Sequence, residues 1–119
     1  MNKCVLITGA VRNSGLGMAR KFLSEGWTTI ITSRIEDDAA RVAAELQAEF
    51  GVACYGFGYT PSNAKQEIDI LFKKIENAGL TLDSVICNAA NLGRWMNPLE
   101  VDIDEWADVL NTNVVGYFA

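Results

Sequence analysis

Apolar and polar positions along the chain change period several times, and each change marks an element boundary. Cys4-Val5-Leu6-Ile7 is a short unbroken apolar run and reads as strand one. Glycines and polar residues interrupt it from Thr8 to Gly17. Leu16, Ala19 and Leu23 then recur on one helical face, with Met18 and Phe22 beside them, and Glu25-Gly26 ends that helix. Trp27-Thr28-Thr29-Ile30-Ile31-Thr32 is rich in β-branched residues and reads as strand two, ending at Ser33-Arg34. From Ile35 to Phe50, Ala39, Val42, Ala43, Leu46 and Phe50 keep one helix face apolar. Asp37, Asp38, Arg41, Glu45 and Glu49 fill the opposite, solvated face, and Gly51 stops the helix.

The same alternation continues. Val52 to Tyr59 is an apolar run read as strand three, with Gly56 and Gly58 marking a bulge or a close approach to a ligand. Thr60-Pro61 opens the next helix with a capping residue and a first-turn proline. Ile68, Leu71, Phe72 and Ile75 form its expected buried stripe, and Asn77-Ala78-Gly79 closes it. Leu82 to Cys87 reads as strand four, followed by a small-residue turn, Asn88-Ala89-Ala90-Asn91. The loop from Leu92 to Val101, with Arg94, Trp95, Met96 and Pro98, either lines a substrate mouth or packs on the sheet. Asp102-Ile103-Asp104-Glu105 has the form of a capping box, and a last helix runs from about Glu105. Trp106, Val109, Leu110, Val114, Val115, Tyr117 and Phe118 give it more than one apolar stripe, so it wants burial on several sides. A β-α-β-α-β-α-β-α order predicts an α/β fold with a parallel sheet and right-handed crossovers.

Composition narrows the partners. The 119 residues make one domain at most, and 50% hydrophobic content is enough for a core. A net charge of -5 and a pI near 4.6 argue against nucleic acid. No apolar run approaches the roughly 18 residues that span a membrane. The four apolar residues after Met1-Asn2-Lys3 are too few for a signal peptide. Cys4, Cys54 and Cys87 form no Cys-x-x-Cys pair and fall in strand-like runs, which points to buried thiols in a reducing cytoplasm. The chain has no histidine, which removes histidine metal sites and Ser-His or Cys-His nucleophilic dyads from it; no metal site is expected.

The chemistry concentrates in the stretch from Thr8 to Gly17. A strand, a glycine turn and a helix start point free backbone N–H groups, reinforced by the helix dipole, at whatever lies above the helix N-terminus. A phosphate is the favoured occupant. Gly9 lets the chain turn sharply, Gly15 has no side chain to block a pyrophosphate, and Gly17 lets the helix pack close to the sheet. There is no Gly-Lys-Ser/Thr ending, so a P-loop lacks its lysine and its magnesium hydroxyl. At the end of strand two an acid would bind the ribose 2′-hydroxyl of NAD. Ser33 and Arg34 stand there instead and suit the 2′-phosphate of NADP, with Arg12 in reach of the same group.

These residues, over the whole chain, resemble the short-chain dehydrogenases/reductases. The family's Thr-Gly-x-x-x-Gly-x-Gly is matched by Thr8, Gly9 and Gly15, with Asn13 for the middle glycine. Asparagine tolerates a left-handed backbone, so the turn is expected to survive. The family's Asn-Asn-Ala-Gly stands as Cys87-Asn88-Ala89-Ala90, and its helix asparagine, in an Asn-x-x-Gly setting, as Asn113 with Gly116. The aspartate that touches adenine after strand three is missing; Gly58 or Tyr59 stands there.

The resemblance implies a Rossmann-type doubly wound parallel sheet with strand order 3-2-1-4 in the part present. It implies NADP, with NAD the lesser candidate, bound by Gly9, Arg12, Asn13, Ser14, Gly15, Leu16, Ser33, Arg34, Asn88, Ala89 and Ala90. It gives Asn113 a catalytic part, holding a water in the proton relay to a lysine. It also implies a small carbonyl or alcohol substrate and a homodimer or homotetramer, in which the last helix packs against its copy.

The family's catalytic serine and Tyr-x-x-x-Lys pair follow that helix. Tyr55 leads four positions on to Tyr59, Tyr59 leads to Asn63, and Tyr117 lies too close to the end. Residues 1–119 are therefore expected to be the incomplete cofactor-binding domain of a reductase of roughly 240 residues. The apolar ending Tyr117-Phe118-Ala119 fits that expectation. The alternatives are a stand-alone dinucleotide-binding module without catalysis and, more remotely, a nucleotide-cofactor transferase. The latter commonly carries an acid where Arg34 stands.

Overall fold

A computed structural model of the chain describes residues 3–60, 64–89 and 102–110. Four strands and four helices alternate: β1 (Cys4–Ile7), α1 (Asn13–Ser24), β2 (Thr28–Ser33), α2 (Glu36–Phe50), β3 (Cys54–Gly58), α3 (Ala64–Asn77), β4 (Ser84–Ile86) and α4 (Ile103–Leu110). The strands are all parallel, in the order β3-β2-β1-β4. This is the Rossmann-type order expected above. β1 lies at the centre, and all four of its residues are buried. That is why its sequence is continuously apolar rather than alternating: a parallel strand between helical layers meets core on both faces.

Two cores follow from the pleat. Val5, Ile7, Ile31 and Cys54 face one way and pack with Ala19 and Leu23 of α1 and Val42, Ala43 and Leu46 of α2. Cys4, Leu6 and Ile30 face the other way and pack with Tyr59 and with Leu71 and Ile75 of α3. Each fully buried Leu or Ile stabilises the fold by about 1.5–3 kcal/mol. On the first face helix and strand come very close. A Cβ on Gly56 would lie 2.0 Å from the Ala39 carbonyl oxygen of α2. The close approach marked by the glycines of strand three is therefore to a helix, and no ligand is needed to explain Gly56.

Several expectations are corrected. Phe72 is 43% exposed, and the buried stripe of α3 runs through Ile68, Leu71 and Ile75 without it. Position 72 is one residue, about 100° of helix, past Leu71 and turns away from the sheet. Cys87 is exposed, since it lies just past the end of β4, whereas Cys4 and Cys54 are buried and unpaired. Burial pushes the Cys54 thiol up to about 12. β3 and β4 are shorter than their apolar runs, because Val52 and Leu82 pack against the cores from outside the strands. Trp27 likewise precedes β2 and meets Phe22 edge-on, with ring centroids 5.0 Å apart. α4 starts at Ile103, where the Asp102 carboxylate accepts the Asp104 N–H at 3.2 Å.

α4 presents Ile103, Trp106 and Leu110 to solvent on one side. Its expected apolar positions beyond residue 110, Pro61 and the loop from Leu92 to Val101 lie outside the described residues. Among the described residues no helix is long and apolar enough to cross a membrane, and no group of His, Cys, Asp or Glu is placed to hold a metal.

Candidate functional site

The carboxyl ends of β1, β2 and β4 bring together three segments that lie far apart in sequence. They are the loop from Thr8 to Arg12, the Ser33-Arg34 corner, and the turn at Asn88-Ala89. Backbone and side-chain hydrogen bonds fix them. The Thr8 N–H donates to the Ile86 carbonyl at 3.1 Å, and the Ala10 N–H to the Thr32 carbonyl at 3.1 Å. The Thr32 hydroxyl accepts the Gly9 N–H at 3.2 Å. The Thr8 hydroxyl oxygen accepts the N–H groups of Asn88 and Ala89, at 3.0 and 3.1 Å. The Asn88 side-chain amide donates back to the Gly9 carbonyl at 3.1 Å. Both threonines are buried, so these bonds are sheltered from competing water.

The turn needs unusual backbone at two positions. Gly9 has φ 66° and Asn13 has φ 54°. Asn13 is the non-glycine residue with positive φ among the described residues, so it does adopt the left-handed conformation that a glycine would take. Gly9 also lies against the β4 turn: a Cβ there would approach Ala89 Cα to 2.8 Å.

The packing role expected of Gly17 falls to Gly15. Gly15 is buried, and its Cβ would meet the Gly9 carbonyl oxygen at 2.5 Å, Asn88 Nδ2 at 2.6 Å and Ala10 Cα at 2.8 Å. Its smallness lets α1 close onto the loop and the β4 turn. Gly17 is exposed with no neighbour within 4 Å of such a Cβ, so the close packing assigned to it belongs to Gly15. Spacing within a glycine motif does not reveal which side of the helix each glycine faces.

α1 and α2 begin in opposite electrostatic settings. α2 carries Glu36, Asp37 and Asp38 in its first turn, which complement its own dipole. α1 has no acid in its first turn, and its N-cap Arg12 makes no capping bond. The N–H groups at the start of α1 therefore remain available to an anion from outside. Arg12 and Arg34 are exposed and form no ion pair among the described residues. The Ser33 Oγ accepts the Ile35 N–H at 3.3 Å, which leaves its own hydrogen free to donate. Free N–H donors at the start of α1 and two guanidinium groups with no ion pair among the described residues suit anionic groups such as phosphate.

The structure brings Gly9, Arg12, Asn13, Ser14, Gly15 and Leu16 to one edge with Ser33, Arg34, Asn88 and Ala89. Ala90 and Asn113 lie outside the described residues. The sequence reading missed the hydroxyls of Thr8 and Thr32 and the structural duty of the Asn88 amide. The available signal was a threonine at the carboxyl end of each of two buried strand runs, Thr8 just past β1 and Thr32 next to the last residue of β2, where an edge of carbonyls and N–H groups needs cross-links.

Comparison with known proteins agrees with this geometry. The family model for short chain dehydrogenase matches residues 3–119. The chain is 31% identical over 116 residues to a 3-oxoacyl-acyl carrier protein reductase of Aquifex aeolicus, covering 98% of this chain and 46% of that protein. It is 32% identical over 128 residues to a serine 3-dehydrogenase of Agrobacterium fabrum, covering 98% and 45%. It thus spans about half the length of the curated relatives it matches. An alcohol dehydrogenase of Thermococcus sibiricus, solved in complex with 5-hydroxy-NADP, superposes with a TM-score of 0.86 at 28% identity, covering 99% of this chain and 49% of that one. An NAD+-bound xylitol dehydrogenase superposes with a TM-score of 0.84 at 25% identity, covering 98% and 44%.

Proposed function

The chain belongs to the short chain dehydrogenase family, and from that premise we propose that it is the cofactor-binding domain of an NADP(H)-dependent oxidoreductase acting on a small carbonyl or alcohol substrate. The observation that carries the cofactor choice is the corner at the end of β2. Ser33 and Arg34 stand beside the glycine turn, no acid occupies the ribose position, and Arg34 has no competing partner among the described residues. The free N–H groups at Asn13, Ser14 and Gly15 hold the diphosphate, as the uncapped start of α1 favours, while the Leu16 N–H already donates to the Arg12 carbonyl. The guanidinium of Arg34, the Ser33 hydroxyl and Arg12 hold the 2′-phosphate; a guanidinium fork matches phosphate oxygens in pairs. Asn88 and Ala89 wall the far side of the site, and Ala90 is assigned to the same contact set by the family resemblance. The bound nicotinamide supplies or accepts the hydride.

In this reading Asn113 holds a water in the proton relay, and the acid–base residues lie in the rest of a longer reductase. Homodimers or homotetramers are the assembly that the family resemblance favours. The unpaired Cys4, Cys54 and Cys87 support a reducing, cytoplasmic location. The relatives differ in substrate, so the substrate class goes no finer than carbonyl or alcohol.

The test is a titration of NADP and of NAD against the natural full-length protein and its Arg34→Asp variant. The wild type binds NADP more tightly, and the variant loses or reverses the preference by about tenfold or more, as expected for a charge-assisted phosphate contact replaced by repulsion. Tighter NAD binding by the wild type, or an unchanged preference in the variant, contradicts the assignment.

A further inference from the structure

We infer that Lys74 of α3 sets the preference of the site for a phosphorylated ribose, by cancelling the charge of Glu36 close to Arg34. This inference rests on the NADP reading above. α2 opens with Glu36, Asp37 and Asp38 directly after the Ser33-Arg34 corner. Acids there suit the helix dipole but disfavour a phosphate dianion bound at the neighbouring corner. An unpaired carboxylate also competes with that phosphate for the Arg34 guanidinium. Asp38 has a partner on its own helix, Arg41, at 3.9 Å. Glu36 is handled differently, by a residue from another element.

The Lys74 ammonium, in the last turn of α3, pairs with Oε1 of Glu36. The same oxygen lies 3.5 Å from the Gly58 N–H at the end of β3. Gly58 makes room for this arrangement, since a Cβ there would stand 3.0 Å from Glu36 Cβ. Lys74 is itself seated, with its ammonium 6.0 Å from the centre of the Phe57 ring. The hydrogen bond from Lys74 holds the Glu36 carboxyl below the usual glutamate range. Three elements therefore hold one carboxylate in a fixed, neutralised pair, and Arg34 keeps no ion pair among the described residues. The unphosphorylated ribose of NAD carries no charge for Glu36 to repel. Removing Lys74 should therefore penalise NADP and spare NAD, which makes Lys74 a positioning residue for specificity, without contact to the ligand.

The experiment measures dissociation constants of NADP and NAD on the full-length protein. It compares the wild type with Lys74→Met, Lys74→Arg and the double variant Lys74→Met/Glu36→Gln. Lys74→Met weakens NADP about fivefold and NAD less than about twofold, the range expected for a partly exposed charge pair. Lys74→Arg keeps the wild-type ratio, and the double variant restores it. A merely structural role for Lys74 would move both constants together. Equal changes for both dinucleotides, no change for either, or no recovery in the double variant overturns the inference; if Lys74→Met does not fold, Lys74→Gln carries the same test. A wild type that does not prefer NADP overturns the NADP reading itself, a result distinct from an unresponsive ratio in the variants.

Discussion

At the β3 flank of the sheet, a helix carbonyl lies where a Cβ of Gly56 would go. At the β4 flank, Val85 in the middle of the strand is 50% exposed on the face that carries α3. Both flanks are edges of the same four-stranded sheet. The first is closed by α2, whose Ala39, Val42, Ala43 and Leu46 are buried. The second leaves Val85 half uncovered, and α4, the described helix that follows β4 in the chain, has no buried residue. The difference separates two jobs. The side that would hold the phosphorylated ribose is finished by local crossovers, βαβ units that each complete their own packing. The β4 side leaves apolar surface uncovered among the described residues.

The contrast can be broken at the closed flank first, where the largest effect is expected. Gly56→Ala places a methyl group 2.0 Å from a backbone oxygen of α2. Because backbone must move, the unfolding free energy falls by about 3 kcal/mol or more. Urea unfolding measures it, and a loss under about 1 kcal/mol would mean that the flank has slack it does not show.

The site itself gives the next effect. Gly15→Ala strikes Gly9, Ala10 and Asn88 together and costs about 1–3 kcal/mol, with weaker dinucleotide binding. Gly17→Ala, two residues on and exposed, gains about 0.5–1 kcal/mol by adding helix propensity. Opposite signs in the same unfolding experiment confirm which glycine the packing needs; two losses of equal size would refute it.

The smallest effect on folding belongs to α4, whose apolar stripe is exposed. Trp106→Ser at an exposed helix position changes subunit stability by about 0.5 kcal/mol or less. If the stripe with Ile103 and Leu110 meets another subunit, the same change loosens the oligomer. Unfolding followed as a function of protein concentration separates the two, because only the assembly term depends on concentration. A concentration-independent loss of several kcal/mol would place Trp106 inside the subunit core and contradict the exposed stripe.

Much of this arrangement was legible in the chain because the local signals agreed. β1 reads from four apolar residues, and its bounds in the structure are the same, Cys4–Ile7. Asn13 in place of a glycine read as a left-handed residue, and it is one. Pattern failed where a property depends on direction in space. Gly15 and Gly17 are equivalent in a motif, yet one faces the loop and the other faces water. Phe72 follows Leu71 in the same apolar helix, but the sheet covers only Leu71. Thr8 reads as the start of the glycine motif and Thr32 as a β-branched strand former; their hydroxyl bonds to Asn88, Ala89 and Gly9 exist only once three strands are side by side. Lys74 and Glu36 were ordinary surface charges until α3 crossed back over the sheet.

The most direct measurement is a crystal structure of the full-length protein grown with NADP. The expected result is a diphosphate above the start of α1, against the N–H groups from Asn13 to Gly15, with the 2′-phosphate on Ser33 and Arg34. A dinucleotide bound away from the carboxyl edge of β1, or one whose ribose phosphate points away from Arg34, would contradict it.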